Sequence, residues 1–276
     1  LTQGGYIKKT ALSAFANIRA NGLIAISLND GDELRWVRLA QETDSILIGS
    51  RSGMAIHFRA DRTQLRPLGR TARGVKSMNL KAGDELVGID ILPAAIADAV
   101  ASSGEDDGDD DELLTDVSED TEGGDDAEDG AELSAGEGTD DEGAEDTGEE
   151  DGEPRILVVT SQGYGKRIPV EQFKLYNRAT KGKIATKFKS GQAEDSLAGI
   201  LVVHDSDEIM LVTSRGIIIR QAVDAIPVQS RGATGVRLQR LDKSDAIAAV
   251  AVVPPEEKEV LDELEVDGEG DGTEEE

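Results

Sequence analysis

One unit of roughly fifty residues occurs four times along this chain, and sequences of that kind fold by stacking copies of a single supersecondary block. Each copy has a first glycine, at Gly5, Gly53, Gly163 and Gly216, and a second, at Gly22, Gly74, Gly182 and Gly235. Before the last three first glycines runs a short apolar stretch: ILIGS (46–50), ILVVT (156–160) and IMLVT (209–213). After the first glycine come YIKKT, MAIHF, YGKRI and IIIRQ, which read as the returning strand of a hairpin. A loop follows and ends in a small cationic phrase closed by the second glycine: NIRANG (17–22), GRTARG (69–74), YNRATKG (176–182) and SRGATG (230–235). Six positions on stands Leu28, Leu80, Phe188 or Leu241, and a polar turn then leads into a last apolar strand such as 246–253.

The spacing locates an insertion. Gly22 to Gly74 is 52 residues and Gly182 to Gly235 is 53, whereas Gly74 to Gly182 is 108. The excess matches the tract 101–154, which holds 26 Asp and Glu and no Lys or Arg. Four short strands per unit, glycine turns and no sustained helical period predict an all-β, propeller-like disc of four-stranded blades. About four blades are expected, over 1–100 and 155–253, interrupted by an acidic insert at 101–154 and followed by an acidic tail at 254–276. Repeat one begins at the end of its opening strand, as if the chain were cut inside a blade. The insert is too polar to bury a core and reads as disordered. Within the tail, 256–266 could form a transient helix.

Charge follows the same division. The net charge is −28, yet the tract takes 26 of the 57 acids and the tail another 12, leaving 19 against 28 Lys and Arg elsewhere. The repeats are therefore a basic body with two acidic attachments, a balance suited to a polyanionic partner. Absence of cysteine excludes disulfides and thiolate metal sites and fits a reducing cytoplasm. No stretch is apolar enough for a membrane span, and the first residues have no signal-peptide core.

Candidate chemistry is mostly negative. There is no P-loop, no His-Glu-x-x-His and no Gly-x-Ser-x-Gly, so no catalytic or metal residue is assigned. His57 shares its slot with Lys9, Arg167 and Arg220 and reads as a polar surface position; His204 sits at a strand end. Tyr6 and Tyr164 share a slot with Met54 and Ile217, which argues for packing, as the strand context does for Trp36. The carboxylates Asp32, Glu33, Asp84 and Glu85 fall in Gly-Asp turns. The cations are different because they recur. Arg19, Arg70, Arg73, Lys76, Arg178, Lys181, Lys183, Arg231 and Arg237 cluster about the second glycine; Lys8, Lys9, Arg51, Lys166, Arg167, Arg215 and Arg220 flank the first. Stacking would set these loops on one rim, able to follow a curved polyanion by its phosphates. Aromatics are only 3% of residues, which argues against base-stacking on single strands and for duplex.

The repeats resemble the C-terminal domain of bacterial DNA gyrase A. The likeness is carried by GGYIKKTALSAF, RANGLIAISLNDGDEL, GRTARGVKSMNLKAGDELVGIDIL, TSQGYGKRIPVEQF, NRATKGKIATKFK and SRGATGVRLQRL. It implies a β-pinwheel whose blades exchange strands and whose basic perimeter wraps duplex DNA, so that the whole enzyme introduces negative supercoils. It also implies a non-catalytic domain in a cytoplasmic, nucleoid-associated heterotetramer with the rest of gyrase A and with gyrase B. ATP and Mg2+ would be used elsewhere, and no cofactor is expected in this chain. The family's breakage-rejoining tyrosine motif is absent here, as is the Gln-Arg-Arg-Gly-Gly-type box of its first blade. Two alternatives are the corresponding domain of topoisomerase IV, and a propeller scaffold that binds basic proteins through its acidic segments. The acidic segments themselves have two readings, as tethered competitors for the rim or as solubilising tracts.

Overall fold

The computed structural model describes residues 1–18, 20–102, 153–189, 195–242 and 244–253. Apart from its two ends, the acidic insert lies outside the described residues, as does the tail, so the disorder and transient helix expected of them do too. Thirteen strands follow in order: β1 Tyr6–Ile7, β2 Ser45–Ser50, β3 Met54–Arg59, β4 Val75–Lys76, β5 Leu86–Leu92, β6 Arg155–Thr160, β7 Tyr164–Pro169, β8 Lys183–Ile184, β9 Leu197–Val203, β10 Glu208–Thr213, β11 Ile218–Ala222, β12 Val236–Arg237 and β13 Ile247–Val253. Short 3-10 turns lie at Leu12–Phe15 and Val170–Gln172.

Each blade is an antiparallel sheet built on one hairpin. In blade two the order is β5-β2-β3-β8, in blade three β9-β6-β7-β12, and in blade four β13-β10-β11. The apolar runs alternate sides, as a strand's two-residue period requires. From β2, Ile46 and Ile48 join a core with Leu1, Ile7 and Phe58, while Leu47 points the other way into a core with Ile156 and Val158 of β6. From β6 in turn, Leu157 and Val159 face Ile209 and Leu211 of β10. β2 and β6 thus each glue their blade to both neighbours. β5 packs on β9 and β9 on β13, so the long last strands form the inner edge of the stack. The short strands β8 and β12 lie at the opposite, outer edge.

Those outer strands belong to the following repeat. β8 pairs Met54↔Ile184 and Ala55↔Lys183 across to β3; β12 pairs Gly165↔Val236 across to β7; β4 pairs Ile7↔Val75 across to β1. The second glycine makes this hand-over possible. Gly182 has φ +75°, and a Cβ there would stand 2.4 Å from the carbonyl oxygen of Ala55. Only glycine satisfies both the left-handed backbone and the close approach. Gly74 against Ile7 and Gly235 against Gly165 repeat the contact.

Two regions depart from the reading of the sequence. An α-helix, α1, spans Ala94–Ser102, where only blade and the start of the insert were expected. Its alanines favour helix, and Ile96 and Val100 pack into the core that holds Val170 and Phe173 of repeat three, with Ala97 buried on the same side. Arg59 donates to the Asp98 carboxylate at 2.8 Å on its outer side. Repeat one, by contrast, contributes only β1 and a bridge between Thr2 and Leu34. Its residues 34–40, equivalent to β5, have no opening strand beside them among the described residues. Val37 and Leu39 stay exposed beside an apolar cleft of about 810 Å³ that Leu1, Ile7, Trp36 and Ile89 help to line.

Candidate nucleic-acid interface

The cationic loops sit directly before the outermost strands, so stacking carries them to the perimeter. Their arginines are placed alike. Arg178 donates through Nη1 to the Lys76 carbonyl at 3.1 Å, and Arg231 through Nη1 to the Ile184 carbonyl at 3.3 Å. Lys76 and Ile184 are the same position in successive repeats. The backbone N–H of each arginine also donates to an equivalent glutamine, Gln64 Oε1 at 2.9 Å and Gln172 Oε1 at 3.0 Å. A further bond runs from Arg178 Nε to the Gln64 carbonyl at 2.7 Å. Both guanidinium groups are thus fixed by carbonyl oxygens that leave their charge uncancelled. Arg70 holds the same slot in repeat two and is half-buried.

Around them, Arg73, Lys76 and Lys181 are exposed, and among the described residues none has a carboxylate in ion-pair reach. Arg215, beside the first glycine of repeat four, is likewise exposed and unpaired among them. Lys183 stands 5.9 Å from the centre of the Tyr176 ring. Arg237 donates through Nη2 to the Tyr164 hydroxyl at 2.7 Å and lies 5.3 Å over its ring, while Lys189 approaches the ring at 5.5 Å. The Arg237 hydrogen bond in particular holds the Tyr164 hydroxyl below its ordinary pKa. Arg19 lies outside the described residues.

Of the remaining candidates, Lys8, Lys9, Lys166 and Arg167 turn inward, which corrects their reading as surface cations, while Arg51 and Arg220 stay at the surface but are neutralised. Lys166 is fully buried (0% exposed) and Arg167 nearly so (7%). Arg167 donates to the carbonyls of Ile226 and Asp224 and pairs with Asp205. Lys8 donates to the carbonyls of Gly69, at 2.9 Å, and Arg70. Lys9 donates to the Ala60 carbonyl and lies 3.6 Å from Glu42. Arg51 pairs with Glu85 at 3.0 Å, and Arg220 with Glu208 across its own hairpin. His57 is no surface residue either: at 1% exposure it bonds the Phe173 carbonyl and Ser45 Oγ, each at 2.7 Å. A carbonyl can only accept, so Nδ1 carries the proton and Nε2 accepts from Ser45. Burial lowers the histidine's pKa and keeps it neutral.

Two positions escaped the reading of single loops. Lys187 and Arg240, each five residues past its second glycine, are exposed at matching places. Aligning the repeats at that glycine brings them out; looking for cationic phrases does not. The turn aspartates also gain a role. Asp32, Asp84, Asp195 and Asp245 each accept a backbone N–H from the first-glycine turn, so all four repeats brace that turn with one carboxylate. Among the described residues no cluster of His, Asp and Glu is placed to hold a metal ion, and no helix is long and apolar enough to cross a membrane.

Strand-exchanging blades, stacked on their long inner strands and carrying cationic loops outside, define a β-pinwheel of the propeller type. The chain belongs to the DNA gyrase C-terminal domain β-propeller family, whose profile matches residues 1–41, 44–93, 154–204 and 207–254. Over 264 residues it is 52% identical to the DNA gyrase A protein of a Synechocystis strain, covering 96% of this chain and 27% of that protein. Against the DNA gyrase A protein of a Staphylococcus aureus strain the identity is 34% over 274 residues, 99% of this chain and 24% of that protein. The chain therefore spans about a quarter of these relatives' length. The fold is shared with the C-terminal domain of DNA topoisomerase IV (TM-score 0.66, 21% identity, 92% of this chain and 60% of that one). It is shared equally with the C-terminal domain of DNA gyrase A (TM-score 0.61, 22% identity, 91% and 63%).

Proposed function

We propose that this chain binds duplex DNA along its outer edge, gripping phosphates without reading bases, and bends the duplex as it does so. The carrying observation is the equivalence of Arg178 and Arg231, two guanidinium groups on equivalent carbonyls at successive blade corners. Identical corners repeated around a stack suit a repeating backbone rather than a particular sequence. The contact set of this reading is Arg70, Arg73, Lys76, Arg178, Lys181, Lys183, Arg215, Arg231 and Arg237, joined by Lys187 and Arg240. Lys8, Lys9, Lys166 and Arg167 hold the loops from within.

Bending 20–30 base pairs by 40–90° costs on the order of 1–6 kcal/mol, which phosphate contacts spread along an edge can offset. In a whole gyrase A protein, joined to gyrase B, the bent duplex would present a second segment to the strand-passing core and so bias it toward negative supercoils. The strong identity to gyrase A proteins supports this over the topoisomerase IV assignment. The test is the salt dependence of duplex binding. With about eight phosphates neutralised, log affinity falls against log salt with a slope of roughly −7. A slope near zero, or strong preference for one base sequence, would remove the reading.

A further inference from the structure

Lys166 is buried beneath the loop 230–235, and all three of its N–H donors are used on that loop. Nζ lies 2.8 Å from the carbonyl oxygen of Ser230 and 2.6 Å from those of Arg231 and Ala233. No carboxylate is bonded to it among the described residues, and the described charge that acts on it is a like one, the Arg231 guanidinium. Its neighbours on the adjoining elements are uncharged: Val158 is opposite on β6, Val236 on β12 pairs with the preceding Gly165, and Thr186 donates to the same Ala233 carbonyl. Lys8 repeats the arrangement beneath the loop 69–74, on the equivalent carbonyls of Gly69 and Arg70. Under the loop 176–182 the slot holds the apolar Ile56.

This geometry polarises the loop. Drawing the carbonyls inward leaves its outer face to Arg231 and to the N–H groups of Gly232 and Thr234, which donate to no described residue. Such a face attracts anions, as backbone nests do. Building on the DNA-binding reading above, we propose that the Lys8 and Lys166 ammonium groups are proton-dependent floors of two phosphate-binding loops. The grip of loops 69–74 and 230–235 on a nucleic-acid phosphate is then strong while the lysines are protonated and weakens when they are neutral.

Burial, with the Arg231 charge adding to it, lowers the Lys166 pKa from its ordinary 10.5 to about 8; burial lowers Lys8 as well. A phosphate on the loop favours the charged lysine, so affinity falls as pH rises through about 8 and binding there takes up protons. Fold stability moves oppositely. A lysine whose pKa is depressed by folding destabilises the fold less once neutral, so the melting temperature does not fall with the affinity.

The experiment is fluorescence anisotropy of the full chain with a labelled duplex, at fixed low salt, from about pH 7 to about pH 9. Wild type is expected to lose affinity several-fold over this range with no loss of melting temperature. Lys166→Met binds more weakly at the lower pH and has a flatter profile; adding Lys8→Met flattens it further. A flat wild-type profile, or a Lys166→Met profile that parallels wild type, overturns the proposal. Should Lys166→Met fail to fold, titration calorimetry of wild type in two buffers of different ionisation heat reads proton uptake directly, and zero uptake overturns it. Absence of duplex binding at the lower pH would instead remove the DNA-binding reading itself.

Discussion

At Lys166 and Arg167, adjacent on β7, two cations leave the surface for opposite sides of one strand and brace the repeat that follows. Arg73 and Lys181, each the residue just before its second glycine, stay in solvent with no acid beside them among the described residues. A rule of position, not of residue type, separates the two groups. In repeats one to three the polar side chains three and four past the first glycine reach carbonyls of the next repeat, whereas those near the second glycine face outward. Arg73→Ala is accordingly expected to lower the salt slope of duplex binding by about one and leave thermal stability unchanged. Arg167→Ala strips bonds from Ile226 and Asp224 and leaves Asp205 unpaired. It should cost about 2–3 kcal/mol in urea unfolding, discounted because Asp205 is half in water. His57 offers a pH test of the same seam. Its folded pKa is depressed below the ordinary value of about 6.5, so its contribution to stability is present above that pH and lost as pH falls through the folded value. His57→Gln should lose about 1–2 kcal/mol near neutrality and melt with a shallower acid dependence than wild type.

Elements of only two residues close the blades, and they are held by what surrounds them. β8 and β12 would not survive as isolated strands; positive-φ glycines and the bonds of the adjoining loops keep them in register. Ala179 N–H, for example, donates to the Ser77 carbonyl at 2.7 Å and Asn79 N–H to that of Thr180 at 2.8 Å, stitching a cationic loop to the repeat before it. Gly182→Ala forces a Cβ to within 2.4 Å of the Ala55 oxygen in a left-handed backbone. A loss of about 2–4 kcal/mol is expected, read by thermal unfolding. The hairpins β2–β3, β6–β7 and β10–β11 were legible because alternation and glycine turns are local signals. The partner of each outer strand was not legible in the repeats themselves, only in the family resemblance, because exchange across repeats depends on which blade a loop reaches. α1 was hidden for a simpler reason: nine residues of mostly alanine give too short an apolar period beside an acidic run. His57 misled because a polar slot at a seam between blades has the composition of a surface position.

Stacking turns a chain of net negative charge into a body with a basic margin, while most of its acid is confined to 101–154 and 254–276. The repeats and the recurrence of the cations could be read in advance. The inward turn of Lys8, Lys9, Lys166 and Arg167 could not, since spacing alone does not tell a carbonyl cage from solvent. Deletion of 101–154 tests the tract at this scale. It should raise duplex affinity at low salt, with the difference vanishing at high salt; unchanged low-salt affinity would leave the tract a solubilising role. It should also stabilise slightly, since the Met54↔Ile184 pairing would span 76 residues of chain rather than 130, worth about 0.5 kcal/mol of closure entropy. The same separation has a consequence in time. During synthesis the edge of β3 waits for 130 residues to leave the ribosome, on the order of ten seconds, against 70 for β1 and 73 for β7. Much of what emerges in that interval is the polyanion, a stretch of nascent chain ill-suited to claim the open edge before its proper neighbour arrives.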